Sequence, residues 1–441
     1  MKDKYILIEE DEEHIEIERE TLITKTRKYF NSIGPGVITG AADDDPSGIA
    51  TYSQAGAQYG SKLIWMSAWT LPLVATVQEM CARIALVTGR GLASNIKKNF
   101  SKKILYISTI LLLIANTFNI GADIGAMAKS IELIYPNLDF NFLVVSIGLL
   151  ILALEIIIPY KKYVKYLKWF VVSLFAYILT GLIIHMDWGN LIFNTIVPHI
   201  SFNKDEIILI TAILGTTISP YLFFWQTSEE IEEEIAEGKK NLRERMITNK
   251  DEIKKMRKDV WSGMFISNLV MFFIIAVCAN TLFIHGVNNI TTASDAAKAL
   301  TPLVGNFSTI LFTIGIVGTG LLAIPILAGS TAYAISESFG WKEGLHRKYN
   351  SAHAFYSVII FSIIIGIAIN FININPVKAL IYSAVLNGLV APIILIFIVK
   401  ISSSEKIMGE YKNNIITKLL GWLIILFMTI TGIFTIYSLF F

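Results

Sequence analysis

The sequence predicts an all-α membrane protein with eleven transmembrane helices, built as a 5+5 inverted repeat plus one extra C-terminal helix. Of its 441 residues, 54% are hydrophobic and 16% are charged, a composition typical of polytopic membrane proteins. Its apolar runs each approach the ~20 residues that a spanning helix needs. The first and sixth runs contain a proline within a polar stretch, which predicts that spans 1 and 6 are broken helices.

Eleven apolar runs define the predicted spans and domains. They cover roughly 31–56, 61–88, 104–129, 140–159, 164–186, 206–228, 260–285, 305–335, 353–372, 376–399 and 415–440. A polar tail, 1–30, precedes repeat one at about 31–186, repeat two at about 205–400 and the extra helix at about 415–440. Because the two broken spans are five apart, an odd number, the second repeat is inverted relative to the first.

The basic residues alternate between loops and predict the orientation. One set of loops is rich in Lys and Arg, including the run Lys161, Lys162, Lys165 and Lys168. The loops of the other set carry one lysine each, namely Lys62, Lys129, Lys204, Lys298 and Lys378. The positive-inside rule then predicts an integral protein of the plasma (inner) membrane, with a cytoplasmic N-terminus and an extracytoplasmic C-terminus.

The first break, Ala41–Gly48, places three carboxylates, Asp43, Asp44 and Asp45, directly before Pro46. No water solvates carboxylates in the bilayer core, so they must line a cavity or be buried in protein. Carboxylates and freed backbone carbonyls are hard oxygen ligands that suit Mg²⁺, Mn²⁺ or Ca²⁺. An Asp that caps the following half-helix is the alternative, but it explains one of the three. We expect Asp45 to bind the metal, with Asp43 and Asp44 as further ligands or as charges that shape the field.

The second break, Gly215–Tyr221, offers a different set of oxygen donors. These are the carbonyls near Thr216 and Thr217, the Ser219 hydroxyl and the Tyr221 phenol, without sulfur or imidazole. We expect Thr216, Ser219 and Tyr221 to contribute to the metal site. Tyr221 as a packing aromatic is an open alternative.

Further acidic residues in or beside the spans are candidates for the ion pathway. Glu79 lies four residues before Arg83 on one helix face, which favours an ion pair but leaves open a place on the pathway. Asp123 is the single acid near the middle of span 3 and could line the same path, whereas we expect Glu155 at the membrane interface. The acidic segment 229–237 is expected to extend span 6 as a solvated helix, with a regulatory metal-sensing role as the alternative.

Several motifs resemble the Nramp divalent-metal transporters. Segments Gly34–Gly36, Asp45–Thr51, Gln54–Gly60 and Val87–Ala93 are similar to the first two spans of that family, and Gly215–Tyr221 resembles its sixth-span metal motif. Gly318–Phe339 resembles its eighth span more loosely. The resemblance implies a LeuT-type fold. It also implies a metal site on Asp45, the Ala42 and Thr216 carbonyls, and the positions of Gly48 and Ser219, whereas Tyr221 stands at a His of the family's proton relay.

The departures from the family pattern imply a harder and wider site. Gly48 stands at the family's Asn position, Ser219 at its Met position and Tyr221 at its His position. A thioether favours softer transition metals, so its loss favours a hard ion such as Mg²⁺, which retains part of its hydration shell. The pattern is most similar to the Nramp-related magnesium transporter branch. The family's proton relay is also reduced, because span 3 offers Asn119 and Asp123 and span 9 begins without Arg.

The predicted function is uptake of Mg²⁺ and Mn²⁺ by alternating access, without proton coupling and with the ion partly hydrated. The alternative is a proton-coupled Mn²⁺/Fe²⁺ symporter of ordinary Nramp type. An amino-acid transporter is disfavoured because three Asp residues would repel a substrate carboxylate. A pore-type channel is disfavoured by the paired breaks. An intramembrane aspartyl protease would need two separated, facing Asp motifs, so we expect no enzyme. We expect no cofactor, no nucleic acid and no obligate protein partner; the ion and the lipid bilayer are the expected contacts.

Overall fold

The computed structural model describes residues 34–158, 174–372 and 374–440, which fold predominantly into helices. We number the principal helices in chain order: α1 (Pro35–Asp43), α2 (Pro46–Tyr59), α3 (Trp65–Thr88), α4 (Leu92–Asn99), α5 (Lys102–Ile134), α6 (Phe140–Ile157), α7 (Phe175–Ile183), α8 (Trp188–Ile196), α9 (Lys204–Thr217), α10 (Pro220–Ala236), α11 (Lys250–Cys278), α12 (Ala293–Ala297), α13 (Ser308–Phe339), α14 (His353–Ile369), α15 (Pro376–Ser402) and α16 (Ile415–Phe440). The predicted tail 1–30, the lysines of 161–168 and the first part of the run 164–186 lie outside the described residues.

Nine helical segments within the described residues are long and apolar enough to cross a membrane, and α9 with α10 count as one of them. The sequence predicts eleven. The first span is missing from the nine because its break leaves two helices, α1 and α2, of 9 and 14 residues. The fifth is missing because only its second part, α7, is described. The prediction of an all-helical membrane protein is confirmed.

The lipid-facing surface is visible as large apolar side chains left exposed on the outer helices. They include Ile107, Ile110, Ile114, Leu149, Leu150, Phe361, Ile364, Leu419, Leu426 and Ile433. In water such a surface would be unfavourable, whereas lipid tails solvate it. Both cysteines, Cys81 and Cys278, are buried and unpaired in disulfides, as the sequence predicts.

The two broken spans share one backbone pattern. In the first, α1 ends at Asp43, Asp44 is non-helical, Asp45 is extended, and α2 starts at Pro46. In the second, α9 ends at Thr217, and Ile218 and Ser219 take the places of Asp44 and Asp45 before α10 starts at Pro220. Proline is well tolerated at the first position of a helix but disfavours helix in the residue before it, which explains both breaks.

Helix α1 packs very closely on α11. Gly36 and Gly40 face the α11 backbone at Val260 and Gly263, where an added Cβ would collide with main-chain atoms. Asp259 then accepts hydrogen bonds from the backbone N–H groups of Gly34 (2.9 Å) and Gly36 (2.6 Å). These N–H groups are left without intrahelical partners at the start of a helix, so Asp259 caps α1 from a neighbouring helix.

At the opposite end of the bundle, the connection between α11 and α13 closes over α2. The backbone N–H of Ile290 donates to the Gln54 side-chain oxygen at 2.9 Å, and Asn375 donates to the Thr291 carbonyl at 3.2 Å. The polar residues of the breaks, which lie between these two sets of contacts, are buried.

Candidate functional site

Asp45 lies at the centre of the first break, where it is the N-cap of α2. Its Oδ1 accepts hydrogen bonds from the Ser47 hydroxyl (2.6 Å) and the Gly48 backbone N–H (2.8 Å). Its Oδ2 accepts from the Asn119 amide of α5 at 2.9 Å. The carboxylate is 1% exposed and held by three donors. A carboxylate oxygen has further lone pairs, so these donors orient Asp45 and leave it able to bind a cation.

Asp123 stands one turn beyond Asn119 on α5, beside Asp45. Its Oδ2 is 3.5 Å from the Asn119 amide, and its Oδ1 has no hydrogen-bond partner although the residue is fully buried. The structure therefore brings the predicted residue Asp123 to the first break. It lies on the same side as the Asp45 oxygen that Asn119 holds.

Asp43 and Asp44 face the other way, toward α11. The Ser267 hydroxyl is 2.6 Å from Asp43 Oδ2 and 3.4 Å from Asp44 Oδ1. Asp43 Oδ1 is buried without a hydrogen-bond partner. The three adjacent carboxylates thus divide between two neighbouring helices, because an extended Asp45 follows a non-helical Asp44.

The second break meets the first through hydroxyl groups. Thr216 Oγ1 lies 3.4 Å from the Ser47 hydroxyl, and the Tyr52 hydroxyl lies 3.1 Å from Thr217 Oγ1. Ser219 Oγ lies 2.7 Å from both the Gly215 and the Thr216 carbonyl oxygens. Its hydrogen can reach one of these carbonyls at a time, and its oxygen lone pairs remain available as a hard ligand.

Tyr221 bridges the two breaks directly. Its phenol is fully buried and donates to the Ala42 backbone carbonyl at 3.1 Å. Tyr221 therefore occupies one of the two carbonyls that the resemblance implies as metal ligands, the other being that of Thr216. A bound ion would have to share the Ala42 oxygen with this phenol or displace it.

Gly48 supplies space. A Cβ at this position would lie 3.1 Å from Thr216 Oγ1 and 3.2 Å from the Asp43 carbonyl oxygen. Any side chain here would crowd both breaks, so Gly48 allows the first turn of α2 to approach α9 closely.

Glu79 lies away from the breaks, in an ion-pair network between α3 and α11. It accepts from Arg257 at 2.9 Å and from the Trp261 indole at 3.0 Å, and Arg83 lies 3.6 Å from it. Arg83 also donates to Asn413. The structure therefore does not bring Glu79 to the other predicted site residues, and its contacts are those of the ion-pair alternative.

The breaks hold an excess of acidic side chains. Asp43, Asp44, Asp45 and Asp123 are all at most 2% exposed, and none of them pairs with a basic group in the part of the chain that the structure describes. Arg83, bound elsewhere, is the single buried basic side chain among those residues. A buried charge without a partner costs several kcal/mol, so this arrangement favours a cation.

The donors do not form a closed cage. Across the described ranges, no group of three or more His, Cys, Asp or Glu side chains has the spacing to hold a bare metal ion. Both breaks also present helix C-terminal carbonyls, those ending α1 and α9, which favour a cation. The geometry thus offers scattered oxygen donors between the two breaks rather than a cluster of carboxylates.

Sequence reasoning missed three of these contacts. Ser267 and Tyr52 were not predicted at the site, and Asn119 was noted without the bond it makes to Asp45. Ser267 and Asn268 are adjacent polar residues inside the otherwise apolar part of α11, which is the signal that could have found Ser267. A Tyr in α2 has no such signal, because aromatic residues are common in apolar cores.

Comparison with known proteins decides the family. The profile of the Nramp family, natural resistance-associated macrophage protein-like, matches residues 36–438. The chain belongs to the Nramp family. It is therefore a divalent metal cation transporter of the membrane and not an enzyme, as the sequence predicts. The likeness to the magnesium-transporting branch stays a prediction.

The relatives resemble the chain over nearly its whole length. The divalent metal cation transporter MntH of Caldanaerobacter subterraneus subsp. tengcongensis is 24% identical over 412 residues, 92% of each protein. MntH of Aeromonas hydrophila is 25% identical over 422 residues, covering 92% of this chain and 95% of the relative. Both are named for the same general activity.

Solved structures of similar fold include two kinds of transporter. The Eremococcus coleocola manganese transporter, solved with an aromatic bis-isothiourea compound, has a TM-score of 0.70 at 17% identity, covering 92% of this chain and 86% of that one. Mhp1, a nucleobase–cation symporter, has a TM-score of 0.51 at 11% identity, covering 92% and 91%. These likenesses support a LeuT-type transporter fold for this Nramp protein.

Proposed function

We propose that this Nramp protein takes up hard divalent cations, Mg²⁺ as well as Mn²⁺, by alternating access. One observation carries the proposal: Ser219 stands where the family has a Met. A hydroxyl oxygen therefore replaces a thioether sulfur among the groups that meet at the two breaks. A thioether favours softer transition metals, and a hydroxyl gives no such preference. Because Ser219 replaces that Met, this position supplies no sulfur ligand that would select against Mg²⁺.

The ion is held between the breaks with part of its water. Asp45 is its anionic anchor. Ser219, the Thr216 carbonyl and the Ala42 carbonyl complete the near side, and Asp43, Asp44, Asp123 and Tyr221 shape the field around it. Mg²⁺ loses water reluctantly and usually keeps several waters in protein sites. The scattered donors suit such an ion, and Gly48 places no side chain between the two breaks.

Membrane potential supplies the driving force in this proposal. Moving one charge through 100 mV is worth about 2.3 kcal/mol, so a divalent ion gains about 4.6 kcal/mol on entering a cell at −100 mV. Tyr221 in place of the family's His and the absence of Arg from the start of span 9 support uptake without a proton.

The second candidate is a proton-coupled Mn²⁺/Fe²⁺ symporter of ordinary Nramp type. The names of the relatives and of the first similar structure favour it over a magnesium transporter. Within the site, Asp123 also favours it, because its buried carboxylate has an oxygen without a partner and lies beside Asp45. The two candidates share the metal site and differ in the ion preferred and in the proton.

The membrane arrangement is proposed with the function. Eleven spans would form repeat one at about 31–186 and repeat two at about 205–400, followed by the extra helix α16. The alternation of basic loops supports a cytoplasmic N-terminus and an outer C-terminus in the plasma membrane. The shared backbone pattern of the two breaks supports the repeat.

Ion flux into proteoliposomes tests the proposal. We expect Mg²⁺ and Mn²⁺ to enter the vesicles and to compete with one another. Uptake of Ca²⁺, Cd²⁺ and Fe²⁺ is measured in the same assay for comparison. Liposomes without protein are the control. If Fe²⁺ or Cd²⁺ enters whereas Mg²⁺ neither enters nor competes, the proposal is wrong and the second candidate is favoured.

A further inference from the structure

The acidic end of α10 divides into two faces. Glu229 and Glu232 line one cavity, and Glu230, Glu233, Glu234 and Glu237 line another. The sequence predicts these residues as a solvated helix, and the helix does extend to Ala236. Four of its carboxylates, those of Glu229, Glu230, Glu232 and Glu234, are nevertheless buried. Their burial is the reason to ask what the cavities hold.

The first of these, which we call the Glu155 cavity, has a volume of about 660 Å³. It lies between the end of α6, the end of α10 and the loop before α14, on the end of the molecule proposed to be cytoplasmic. Its walls include Glu155, Glu229, Glu232 and Tyr356. It is separate from the breaks, since Glu232 is twelve residues beyond Pro220, or about 18 Å along the helix at ~1.5 Å per residue.

Glu155 is the unusual group in this cavity. The sequence predicts it at the membrane interface, but it is only 8% exposed, and neither of its carboxylate oxygens has a hydrogen-bond donor among the residues that the structure describes. By contrast, Glu232 accepts from the Tyr333 hydroxyl (2.8 Å), the Leu345 N–H (3.1 Å) and His346 (3.0 Å). Glu232 is satisfied by the protein, and Glu155 is not.

A buried carboxylate without a donor is unfavourable unless it takes up a proton or binds a cation. Two further carboxylates, those of Glu229 and Glu232, line the same cavity. Within the ranges that the structure describes, the basic side chains lining the cavity are exposed: Lys348, His346, which contacts Glu232, and Arg347, whose guanidinium donates to the Glu343 carbonyl at 2.9 Å. They therefore leave the buried end, at Glu155, negative.

We propose that the Glu155 cavity is a second cation site, which holds a hydrated divalent cation against Glu155. A metal ion with six waters needs roughly 200 Å³ at ~30 Å³ per water, so the cavity can contain it. Its carboxylates are too far apart to ligate a bare ion together, which is why the ion keeps its water. This inference rests on the proposed function in one respect, namely that the ion is a divalent cation.

Removal of the central site allows the second one to be measured. Purified full-length Asp45→Ala protein is titrated with Mn²⁺ alone, and bound ion is counted by electron paramagnetic resonance. We expect this variant to retain a Mn²⁺ site and Asp45→Ala/Glu155→Gln to bind Mn²⁺ at least tenfold more weakly. Excess Mg²⁺ should displace the retained Mn²⁺. The control Asp45→Ala/Glu410→Gln, at an exposed carboxylate, should match Asp45→Ala.

A second measurement locates the ion without altering Glu155. A fluorophore is attached at Asn350→Cys, on the cavity wall, after Cys81 and Cys278 are replaced by Ala in the Asp45→Ala protein. Paramagnetic Mn²⁺ should quench this fluorophore. At the same Mn²⁺ concentrations, the fluorescence of a control fluorophore at Leu138→Cys, beyond the far end of α5, should not change. Equal quenching at both positions would overturn the proposal.

The outcomes separate this site from the transport proposal. The proposal of a second site is wrong if Asp45→Ala removes all Mn²⁺ binding, or if adding Glu155→Gln to that variant does not weaken Mn²⁺ binding. Neither result would reject the proposed transport of Mg²⁺ and Mn²⁺. If flux assays reject Mg²⁺ uptake but Mn²⁺ still binds near Glu155, the second site stands without the transport proposal.

Discussion

Asp45 is the residue on which the proposed metal site depends, because it combines an acidic group, a helix cap and a hydrogen bond to α5. Its two oxygens are held by Ser47, Gly48 and Asn119, so the charge is fixed in direction before any ion arrives. Such preorganisation reduces the entropy that binding would otherwise cost.

Asp45→Ala should therefore lower Mg²⁺ and Mn²⁺ flux at least a hundredfold. The variant removes the anionic anchor and the cap of α2 together, and a lost cap costs about 1 kcal/mol of stability. Flux into proteoliposomes measures the effect, with Asp139→Asn, an exposed cap of α6, as the control. Transport by Asp45→Ala at the wild-type rate would show that the ion does not pass through this break.

Ser219 is the residue that we expect to decide which metal is accepted. Ser219→Met should raise the preference for Cd²⁺ and Mn²⁺ over Mg²⁺, since it adds a soft sulfur ligand at the second break. Competition of Mg²⁺ with Cd²⁺ in flux assays measures this preference. Ser219→Ala, which removes the hydroxyl without adding sulfur, is the matched control. An unchanged Mg²⁺/Cd²⁺ ratio in the Met variant would contradict our account of selectivity.

At the scale of helices, α1 is held closed by α11 rather than by its own sequence. The glycine contacts of Gly36, Gly40 and Gly263 bring the two backbones together, and Asp259 caps α1 from the side. Hydrogen bonds to charged groups contribute about 1.5–3 kcal/mol each. If α1 moved away from α11, both the glycine contacts and the hydrogen bonds to Asp259 would have to break.

Asp259→Ala should therefore favour a conformation in which α1 is open toward the proposed cytoplasmic side. A cysteine at Ala41, in a background without Cys81 and Cys278, should react with a soluble thiol reagent at least tenfold faster. Ser262→Ala on the same helix is the control, because its hydroxyl donates to the Asp259 backbone carbonyl and not to α1. Equal reaction rates would show that Asp259 does not hold α1.

The Glu79 network ties α3 to α11 and is a second element-level contact. Glu79→Ala leaves Arg83 buried beside Arg257 without its carboxylate, and loss of one partner of a buried pair costs about 3–5 kcal/mol. We expect a lower melting temperature and an unchanged Mg²⁺/Mn²⁺ flux ratio. Glu132→Ala, in a partly exposed pair with Lys129, should change neither. An altered ion ratio with normal stability would instead place Glu79 on the ion pathway.

For the whole molecule, the proposed driving force makes a clear prediction. With no pH gradient, an inside-negative potential imposed by K⁺ and valinomycin should drive Mg²⁺ uptake, and 100 mV should support accumulation of more than about a thousandfold. A pH-sensitive dye inside the vesicles should report no acidification during Mn²⁺ uptake. Acidification that follows Mn²⁺ entry would support the proton-coupled symporter.

Much of the architecture could be predicted from local features of the chain. Pro46 and Pro220 placed both breaks, because the physics of proline acts on neighbouring residues. Asp45 and Asp123 were predicted as site residues and do lie together. Ser267 was not predicted, because it is more than 220 residues from Asp43 and only packing brings it there.

Residues with the same chemistry were separated by the fold. Glu79 and Glu155 both lie in predicted spans, yet Glu79 is bound by Arg257 and Trp261, whereas Glu155 has no donor among the described residues. The sequence does not distinguish the surroundings of these two residues. Helical periodicity determines which residues share a helix face, but not which neighbouring helix that face contacts.

By itself, the sequence determined the membrane class, the two breaks and the kind of donor atoms they carry, because hydropathy, proline geometry and side-chain chemistry are local properties. Tertiary structure alone decided that Asp45 faces α5 while Asp43 and Asp44 face α11, that Tyr221 reaches the Ala42 carbonyl, and that Glu155 is buried. Those outcomes depend on contacts between helices distant in the chain, where close packing chooses one neighbour among many that the sequence permits.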